Sequence, residues 1–389
     1  MTLRSSYSQR LAGAIGSLLL LTACAGPAAP PAPTAPREQQ AVAAQSDAQL
    51  TPAQRTYRDA LKEFQDTVVP AAKKEGELNW YACQQADETE KWIKHFNQYY
   101  PEITVNHVYG PGPTLVEKIK TEVAAGQVTA DTYICGVTSA RNLTATANVA
   151  IAPNPPSALN PDVKWNWPPL EGNGLRVLWA TNGIAGLTVN TTLVSKDHYP
   201  KTWWDLLKDP YWTDLFSRGL VGMSDPRASG FGHQVMYGLR VLHKDDYGEP
   251  FVRQLAAMKP IKFITSTTEV QKGERFANIG SAVTSVDNFN KDPVALVCPA
   301  PGCVQSFLAP ATIKGPHPNA ARLWAEFWLT KEGQEFLRDI YYTIDRTDIP
   351  VPAELDWKNF QQLYFASEDH DAPAAEALVW NRESKLWDY

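Results

Sequence analysis

An alternation of short apolar runs with amphipathic stretches, beginning at Gly76, constrains the fold of this chain more than any other feature. The runs at 77–83, 103–108 and 130–136 are predicted strands, because each is short, apolar and bounded by turn-forming or polar residues. Between them, apolar side chains recur at helical spacing, first at Trp92, Ile93, Phe96, Tyr99 and Tyr100, then at Leu115, Ile119 and Val123. This order predicts an α/β fold with a doubly wound parallel sheet.

A second region of strands and helices follows an irregular Pro- and Trp-rich stretch at 151–169. Apolar segments at 175–179 and 186–190 are predicted strands, and the polar residues 181–183 between them form a candidate hinge. A further strand at 221–223 leads through the loop 224–233 into a helical pattern of apolar residues that includes Val235 and Leu239. The 389 residues therefore suffice for two α/β lobes.

The charge of the chain argues against nucleic acid as a partner. The formal net charge is −6, and no run of Lys and Arg appears. Nucleic-acid binding depends on clustered cationic side chains, so we expect none here.

The N-terminus carries an export signal. Arg4 and Arg10 precede an apolar run at 11–21, which is too short to remain as a membrane-spanning helix. The following tetrad, 21–24, resembles the bacterial lipobox, which implies that 1–23 is a signal peptide and that Cys24 is lipidated. The alternative is an ordinary secretory signal with a chance Cys. Residues 24–51 are rich in Ala and Pro, so we predict a disordered tether.

Four further cysteines, Cys83, Cys135, Cys298 and Cys303, predict two disulfides in an oxidising compartment. Three pairings are possible. Pairing of Cys298 with Cys303 is favoured because the Pro- and Gly-rich loop between them can fold back, and Cys83 then pairs with Cys135. A metal site is the alternative, but the cysteines lack the spacing and nearby His of zinc sites.

The loops after the first and third strands are candidate ligand contacts, because ligands of doubly wound sheets bind beyond the carboxyl ends of the strands. These loops contribute the polar candidates Gln84, Gln85, Thr138, Ser139 and Arg141. The alternative role for each is a helix cap or a solvated loop residue.

The loop after 221–223 is a candidate anion site. Ser229 is the predicted helix N-cap, and the small Gly230 and Gly232 would let a ligand approach the backbone. Free N–H groups at a helix start favour an anionic oxygen, and Arg227 could add a bidentate contact. The alternative is a capped helix with Arg227 paired to Asp225.

Several segments together resemble the family 1 extracellular solute-binding proteins of ABC importers. They are 76–81, 96–105, 130–133, 190–191, 200–212, 225–230, 315–321 and 329–334, which follow the family's order over 71–352. The resemblance implies a type II periplasmic-binding-protein fold with a ligand cleft between two lobes. It implies 71–183 plus 290–389 as lobe 1, 184–289 as lobe 2, and closure that an ABC permease reads.

The resemblance is strongest to the ferric-ion-binding subgroup, whose iron binders carry adjacent tyrosines in the second lobe. Here that place, 282–289, has no tyrosine pair, so a ferric complex is only an alternative ligand. Tyr99–Tyr100 and Tyr341–Tyr342 are interpreted as packing residues. Asp287 and Asn288 follow an apolar strand and are candidate ligand contacts, or else form a turn before Pro293.

These features predict a lipid-anchored protein of the cell envelope that binds a small anionic or zwitterionic solute for an ABC permease. We expect a monomer without cofactor, resident metal or enzymatic activity. The alternatives are a lipid-anchored hydrolase, with Ser229 and His233 as the pair to test, and a sensor lipoprotein with the same fold. The chain has no HExxH, GxSxG or Walker motif.

Overall fold

The computed structural model describes residues 35–84, 86–136, 139–140, 143, 149–166, 180–228, 230–263, 268–282, 293–340, 342–352, 362–365 and 371–389. The predicted signal peptide and Cys24 lie outside these residues, as does the predicted strand 175–179. Within the described residues, no helix combines the length and apolar character that a membrane crossing requires.

The helices begin and end where the local sequence dictates. Helix α2, for example, starts at Pro52 behind a reciprocal cap between Thr51 and Gln54, and it ends at Gly76, which adopts a left-handed conformation. The described helices are α1 (Arg37–Ala43), α2 (Pro52–Glu75), α3 (Ala86–Phe96), α4 (Gly112–Ala124), α5 (Asp205–Lys208), α6 (Pro210–Ser217), α7 (Phe231–Tyr237), α8 (Gly248–Ala257), α9 (Thr268–Gln271), α10 (Pro318–Phe327), α11 (Lys331–Asp339) and α12 (Asp371–Glu383).

The described strands join in the order β2-β1-β3-β10-β5-β8-β6-β7, with β4 and β12 paired to β10 and with β9 and β11 paired to β5. Strand β1 is parallel to β2 and β3, and β6 is parallel to β7 and β8. The strands are β1 (Glu77–Ala82), β2 (Thr104–Tyr109), β3 (Thr132–Gly136), β4 (Ala150–Ile151), β5 (Ala180–Asn190), β6 (Val221–Ser224), β7 (Ile261–Phe263), β8 (Ala277–Ala282), β9 (Val294–Val297), β10 (Cys303–Ile313), β11 (Thr343–Ile344) and β12 (Gln362–Phe365).

Two long strands, β5 and β10, pass from one lobe to the other. In β10, residues 308–312 pair with β3, whereas Val304 and Gln305 pair with β5. In β5, Thr181 pairs with β11, whereas residues 185–189 pair with β8. The candidate hinge at 181–183 is therefore not a break between two strands but part of the continuous strand β5, which crosses between the lobes.

Each lobe has its own core. In the first lobe, Trp80 and Trp92 are buried on one face of the sheet, and Tyr81 is buried with the helix α4 residue Leu115 on the other. Neighbouring strand residues point to opposite faces, so β1 serves both sides. The second lobe buries a separate cluster that includes Trp212.

The C-terminal region that was predicted to return to lobe 1 is shared between the two lobes. Residues 290–389 were expected in lobe 1, yet β9 pairs with residues 187–190 of β5 in the second lobe. Val304, Leu363 and Trp387 are also buried in the second-lobe core, whereas Leu308 to Ile349 contribute to the first. The prediction is wrong for 293–307, 362–365 and 371–389, because strand periodicity does not show which sheet a returning strand joins.

The predicted tether is ordered where the structure describes it. Ala35 and Leu50 are buried, and α2 adds Phe64 and Val68 to the first-lobe core, so that lobe begins before residue 71. The prediction of disorder is wrong for 35–51, because polar side chains as well as these few apolar ones attach the segment to the first lobe.

These polar side chains form what we call the N-terminal network, made of Glu38, Gln39, Ser157, Glu326 and Arg346. Arg346 donates to both carboxylate oxygens of Glu38 at 2.8 Å. Gln39 Nε2 donates to Glu326 Oε1 at 2.7 Å, and Ser157 Oγ donates to the same oxygen at 2.6 Å. A segment with few apolar side chains can therefore dock on a folded lobe when its buried charged groups have hydrogen-bond partners.

Both predicted disulfides are present. Cys83 follows β1, and Cys135 is the penultimate residue of the parallel strand β3. Their Cα atoms are 5.4 Å apart. Cys298 and Cys303 close the short loop before β10, with a Cα–Cα distance of 5.1 Å. The first bridge thus ties together the two strand ends from which the predicted lobe 1 ligand loops start.

Candidate functional site

The carboxyl ends of the parallel strands in both lobes are directed toward the middle of β5 and β10. In the first lobe, β3 ends at Gly136, which lies beside Leu308 of β10. In the second lobe, β8 ends at Ala282, which lies opposite Ala185 of β5, and Ala185 also pairs with Val304 of β10. We call this middle part, 184–187 and 304–308, the junction. Ligands of α/β sheets bind beyond such strand ends.

Gln84 lies at the first-lobe edge of this region, immediately after β1 and the bridged Cys83. The residue is 4% exposed, and neither its amide nitrogen nor its amide oxygen has a hydrogen-bond partner among the described residues. Leaving a buried polar group without a partner costs about 1–3 kcal/mol. Gln84 was predicted as a ligand contact, and its unpartnered amide is available for that role.

Gln305 lies in the junction itself and was not predicted from the sequence. It is fully buried in β10, where its backbone pairs with Ile184 of β5 and Phe365 of β12. Neither polar atom of its carboxamide has a hydrogen-bond partner in the part of the chain that the structure describes. Among the described residues, Gln84 and Gln305 are the two carboxamides with both polar atoms in this state. The signal that could have found Gln305 is a long polar side chain within the apolar strand of residues 303–313.

Ser139 lies close to the Cys83–Cys135 disulfide and to Gly112, the first residue of α4. A Cβ placed on Gly112 would lie 2.8 Å from Cys135 Sγ and 2.9 Å from Ser139 Oγ, so only glycine fits between them. Burial raises the pKa of Tyr133, and a hydrogen bond with Ser139 opposes that rise. Ser139 therefore already has a partner within the chain.

Arg227 is held by two carboxylates. It donates to Asp225 through Nε and Nη2, at 3.0 Å and 2.6 Å, and to Asp388 through Nη1 at 2.8 Å. Burial acts to raise the pKa of Asp225, but the bonds from Arg227 outweigh it and hold that pKa below its usual range. The structure thus has the alternative arrangement, in which Arg227 pairs with Asp225.

The start of α7 differs from the prediction in two respects. Gly230, with a φ of 125°, is the N-cap in place of Ser229, and among the described residues no side chain caps the helix. A Cβ on Gly232 would lie 2.0 Å from the carbonyl oxygen of Ser224, so Gly232 allows close backbone packing rather than ligand approach. Gly230 is exposed, and nothing lies within 4 Å of the position of its missing Cβ.

Six predicted contacts lie outside the described residues: Gln85, Thr138, Arg141, Ser229, Asp287 and Asn288. The structure therefore brings Gln84, Ser139, Arg227 and Gly230 to the ends of strands that are directed toward the junction. It adds Gln305 at the junction itself.

Of the tyrosines and histidines that the sequence singled out, Tyr100, Tyr342 and His233 are buried. Tyr100 and Tyr342 are buried in the first-lobe core, as the packing interpretation predicts. His233 is 7% exposed, and burial lowers its pKa to about 4. Within the described part of the chain, no group of three His, Cys, Asp or Glu residues could hold a metal ion.

Comparison with known proteins agrees with this architecture. A family model described as bacterial extracellular solute-binding protein matches residues 143–364, more than half of the chain. No curated protein matches the chain.

Solved periplasmic binding proteins have the same fold. Iron-bound HitA from Pseudomonas aeruginosa is 20% identical with a TM-score of 0.59, and the match covers 79% of this chain and 98% of HitA. AfuA from Actinobacillus pleuropneumoniae, with fructose-6-phosphate bound, is 20% identical with a TM-score of 0.60 over 80% of this chain and 99% of AfuA. A periplasmic thiamin-binding protein is 14% identical with a TM-score of 0.60 over 80% and 96% of the two chains.

The matches show a type II periplasmic-binding-protein fold, in agreement with the predicted fold class. The family acts outside the cytoplasm, and its members bind solutes rather than catalyse reactions. With the two crossing strands and the strand ends directed toward them, the match over 143–364 shows that this chain belongs to the bacterial extracellular solute-binding proteins of ABC importers.

Proposed function

We propose that the protein binds a small anionic or zwitterionic solute at the junction and delivers it to an ABC permease while a lipid on Cys24 anchors it to the membrane. The observation that carries this proposal is the pair of buried, unpartnered carboxamides, Gln84 and Gln305, near the strand ends of the two lobes. A ligand that bonds to both would remove their desolvation cost, and this gain exists only in the bound state.

The chemistry of the available groups favours a ligand with both an acidic and a donor group. A carboxamide can donate and accept, so Gln84 and Gln305 suit a solute with mixed polar groups. The exposed start of α7 at Gly230 offers N–H groups to an acidic oxygen. Asp287 and Asn288 are retained as proposed partners for an ammonium group, which suits an amino acid or an aminophosphonate.

A ferric complex is the second candidate ligand, because HitA is iron-bound and resembles this chain in fold. Ferric iron prefers hard anionic oxygens such as tyrosinate and carboxylate. Gln84 at the edge of the junction and Gln305 within it are neutral, and the 282–289 segment contains no tyrosine. AfuA, which has bound fructose-6-phosphate, is the comparison that suits an acidic solute better.

A hydrolase is disfavoured by the state of His233. A general base works best when its pKa lies near the working pH, whereas burial lowers the pKa of His233 to about 4. If the protein is a hydrolase, the Ser229→Ala variant would lose turnover of an ester or phosphoester. We expect no turnover by the unaltered protein.

The test of the solute is a binding panel on the purified mature protein. Glutamate, aminomethylphosphonate, inorganic phosphate and ferric citrate are each titrated by calorimetry, and thermal unfolding is measured in parallel. A bound compound at a hundredfold excess over its Kd stabilises the fold by about 2.7 kcal/mol. Binding of ferric citrate alone would contradict the proposal.

The role of Gln305 is tested with the compound that binds. Gln305→Met keeps the size of the side chain and removes its hydrogen bonds, so the affinity should fall about tenfold. The matched control is Thr312→Val, which alters a buried residue of the same strand about 23 Å away. Equal affinities of the two variants would contradict a contact with Gln305.

Anchoring is tested separately in cells. A radiolabelled fatty acid should label the full chain and not the Cys24→Ala variant, and the variant should be released from the membrane fraction. Labelling of both proteins would contradict lipidation at Cys24.

A further inference from the structure

The segment 371–389 lies against the loop 225–228, which connects β6 to α7. Helix α12 packs against α7, and Trp387 is fully buried in the second-lobe core. The segment therefore reaches the loop from an anchored position. This loop leads into Gly230, so its conformation sets where the start of α7 lies.

Three side chains of the segment bind the loop directly. Asn381, which is 1% exposed, donates through Nδ2 to the carbonyl oxygen of Pro226 at 3.0 Å. Arg382 donates through Nε to the carbonyl oxygen of Arg227 at 2.9 Å. Asp388 accepts from Arg227 Nη1 at 2.8 Å. Two successive loop carbonyls and the only loop guanidinium are thus bound by one segment.

The far end of the segment is itself fixed to the neighbouring strand β7. Lys262 donates to the main-chain oxygen of Tyr389 at 2.8 Å and also to that of Trp387. Tyr389 Oη donates to the carbonyl oxygen of Pro260 at 3.1 Å, and Lys262 Nζ lies 4.1 Å from the centre of the Tyr389 ring. The segment consequently connects the β6 loop to the strand beside β6.

We infer that 371–389 is a positioning element, which holds the loop 225–228 in the conformation that binds the solute. The inference rests on the proposed function, since it assumes that the start of α7 contacts the solute. Asn381, Arg382 and Asp388 are positioning residues, because they bind the loop. Asn381 also contacts His233 of α7 at 3.4 Å. Arg227 belongs with them: its ion pairs with Asp225 and Asp388 link the loop to the segment.

The first measurement is amide hydrogen–deuterium exchange of residues 225–237 in the ligand-free mature protein. Asn381→Leu and Asp388→Asn should each exchange faster there than the unaltered protein, because each removes one bond between segment and loop. Glu383→Gln is the matched control, since it alters an exposed charge of the same helix. Unchanged exchange in both variants would overturn the inference.

The second measurement is the affinity for inorganic phosphate, the simplest probe of the loop. Asn381→Leu and Asp388→Asn should bind phosphate about fivefold more weakly, and Glu383→Gln should bind it normally. Faster exchange with unchanged phosphate affinity would also overturn the inference, because the loop conformation would then not matter for binding.

Failure of the proposed function has a different signature. If the unaltered protein binds no phosphate, the proposed anion site at α7 is wrong, and the exchange measurement alone decides whether the segment holds the loop.

Discussion

The N-terminal network and the junction both bury polar side chains, but these side chains differ in whether they have hydrogen-bond partners. In the network, all five N–H groups of Arg346 have acceptors, provided by Glu38, Asp348 and the carbonyl oxygen of Leu329. At the junction, Gln305 is equally buried and has none. Burial with partners attaches the N-terminal segment to the first lobe, whereas burial without partners is the reason that we propose Gln305 as a ligand contact.

The comparison predicts the largest effect for Arg346→Met. Removing one partner of a buried ion pair destabilises a protein by about 3–5 kcal/mol, and we expect the lower end because Asp348 is partly exposed. Urea unfolding measures the change. The control is Arg218→Met, which breaks an exposed pair with Asp214 and should cost about 0–1 kcal/mol. A similar loss of stability in both variants would contradict the claim that the buried, fully partnered Arg346 attaches the N-terminal segment.

Glu326 predicts a pH dependence of the network. Burial raises its pKa from 4.5 to about 7, with nearby Glu38 adding to the rise and bonds from Ser157 and Gln39 opposing it. The folded protein therefore holds this proton more tightly than the unfolded chain. The stabilisation is complete below about pH 4.5 and is lost as the pH rises through 7, a loss of roughly 3 kcal/mol.

Urea unfolding at pH 5 and pH 8 measures this loss, and Glu326→Gln should abolish it. Glu122→Gln is the control, because the bonds from Lys118, Tyr81 and Thr129 outweigh burial and lower the pKa of Glu122 to about 2. That group stabilises the fold above pH 4.5 and loses its effect only as the pH falls through 2, so the change from pH 5 to 8 should persist in Glu122→Gln. If Glu326→Gln retained the full loss, Glu326 would not be its source.

The smallest expected change in the free energy of unfolding is that of Gln305→Met, and it has the opposite sign. Gln305→Met replaces an unpartnered carboxamide with an apolar group of similar size, so the ligand-free protein should gain about 1–2 kcal/mol in its free energy of unfolding. Urea unfolding of the ligand-free variant measures it. A loss of stability would show that the carboxamide has partners in solution and would remove the distinction between the two regions.

The local elements were largely predictable, because they depend on periodicity and turn chemistry. The order of β1, α3, β2, α4 and β3 follows the predicted order, with strand ends shifted by one or two residues and with α3 ending at Phe96, before Tyr99 and Tyr100. Both disulfides were also predicted, since Cys298 and Cys303 are close in sequence and leave one remaining pair.

The site was less predictable, because partners decide what a polar residue does. Arg227 looked available for an anion, but Asp388 lies 161 residues away in sequence and binds it. Gln305 looked like one polar residue in an apolar strand, and only its surroundings show that its amide has no partner. Pairs so distant in sequence leave no periodic signal in one chain.

The sequence by itself determined the α/β class, the family resemblance and the cysteine pairs, because each rests on local patterns or fixed spacings. Only the tertiary structure decided that 362–365 and 371–389 join the second lobe, that 35–51 docks on the first, and that Gln305 has no partner among the described residues. The physical reason is that burial and hydrogen bonding depend on which distant segments meet, and this is settled by the free energy of the whole packed chain.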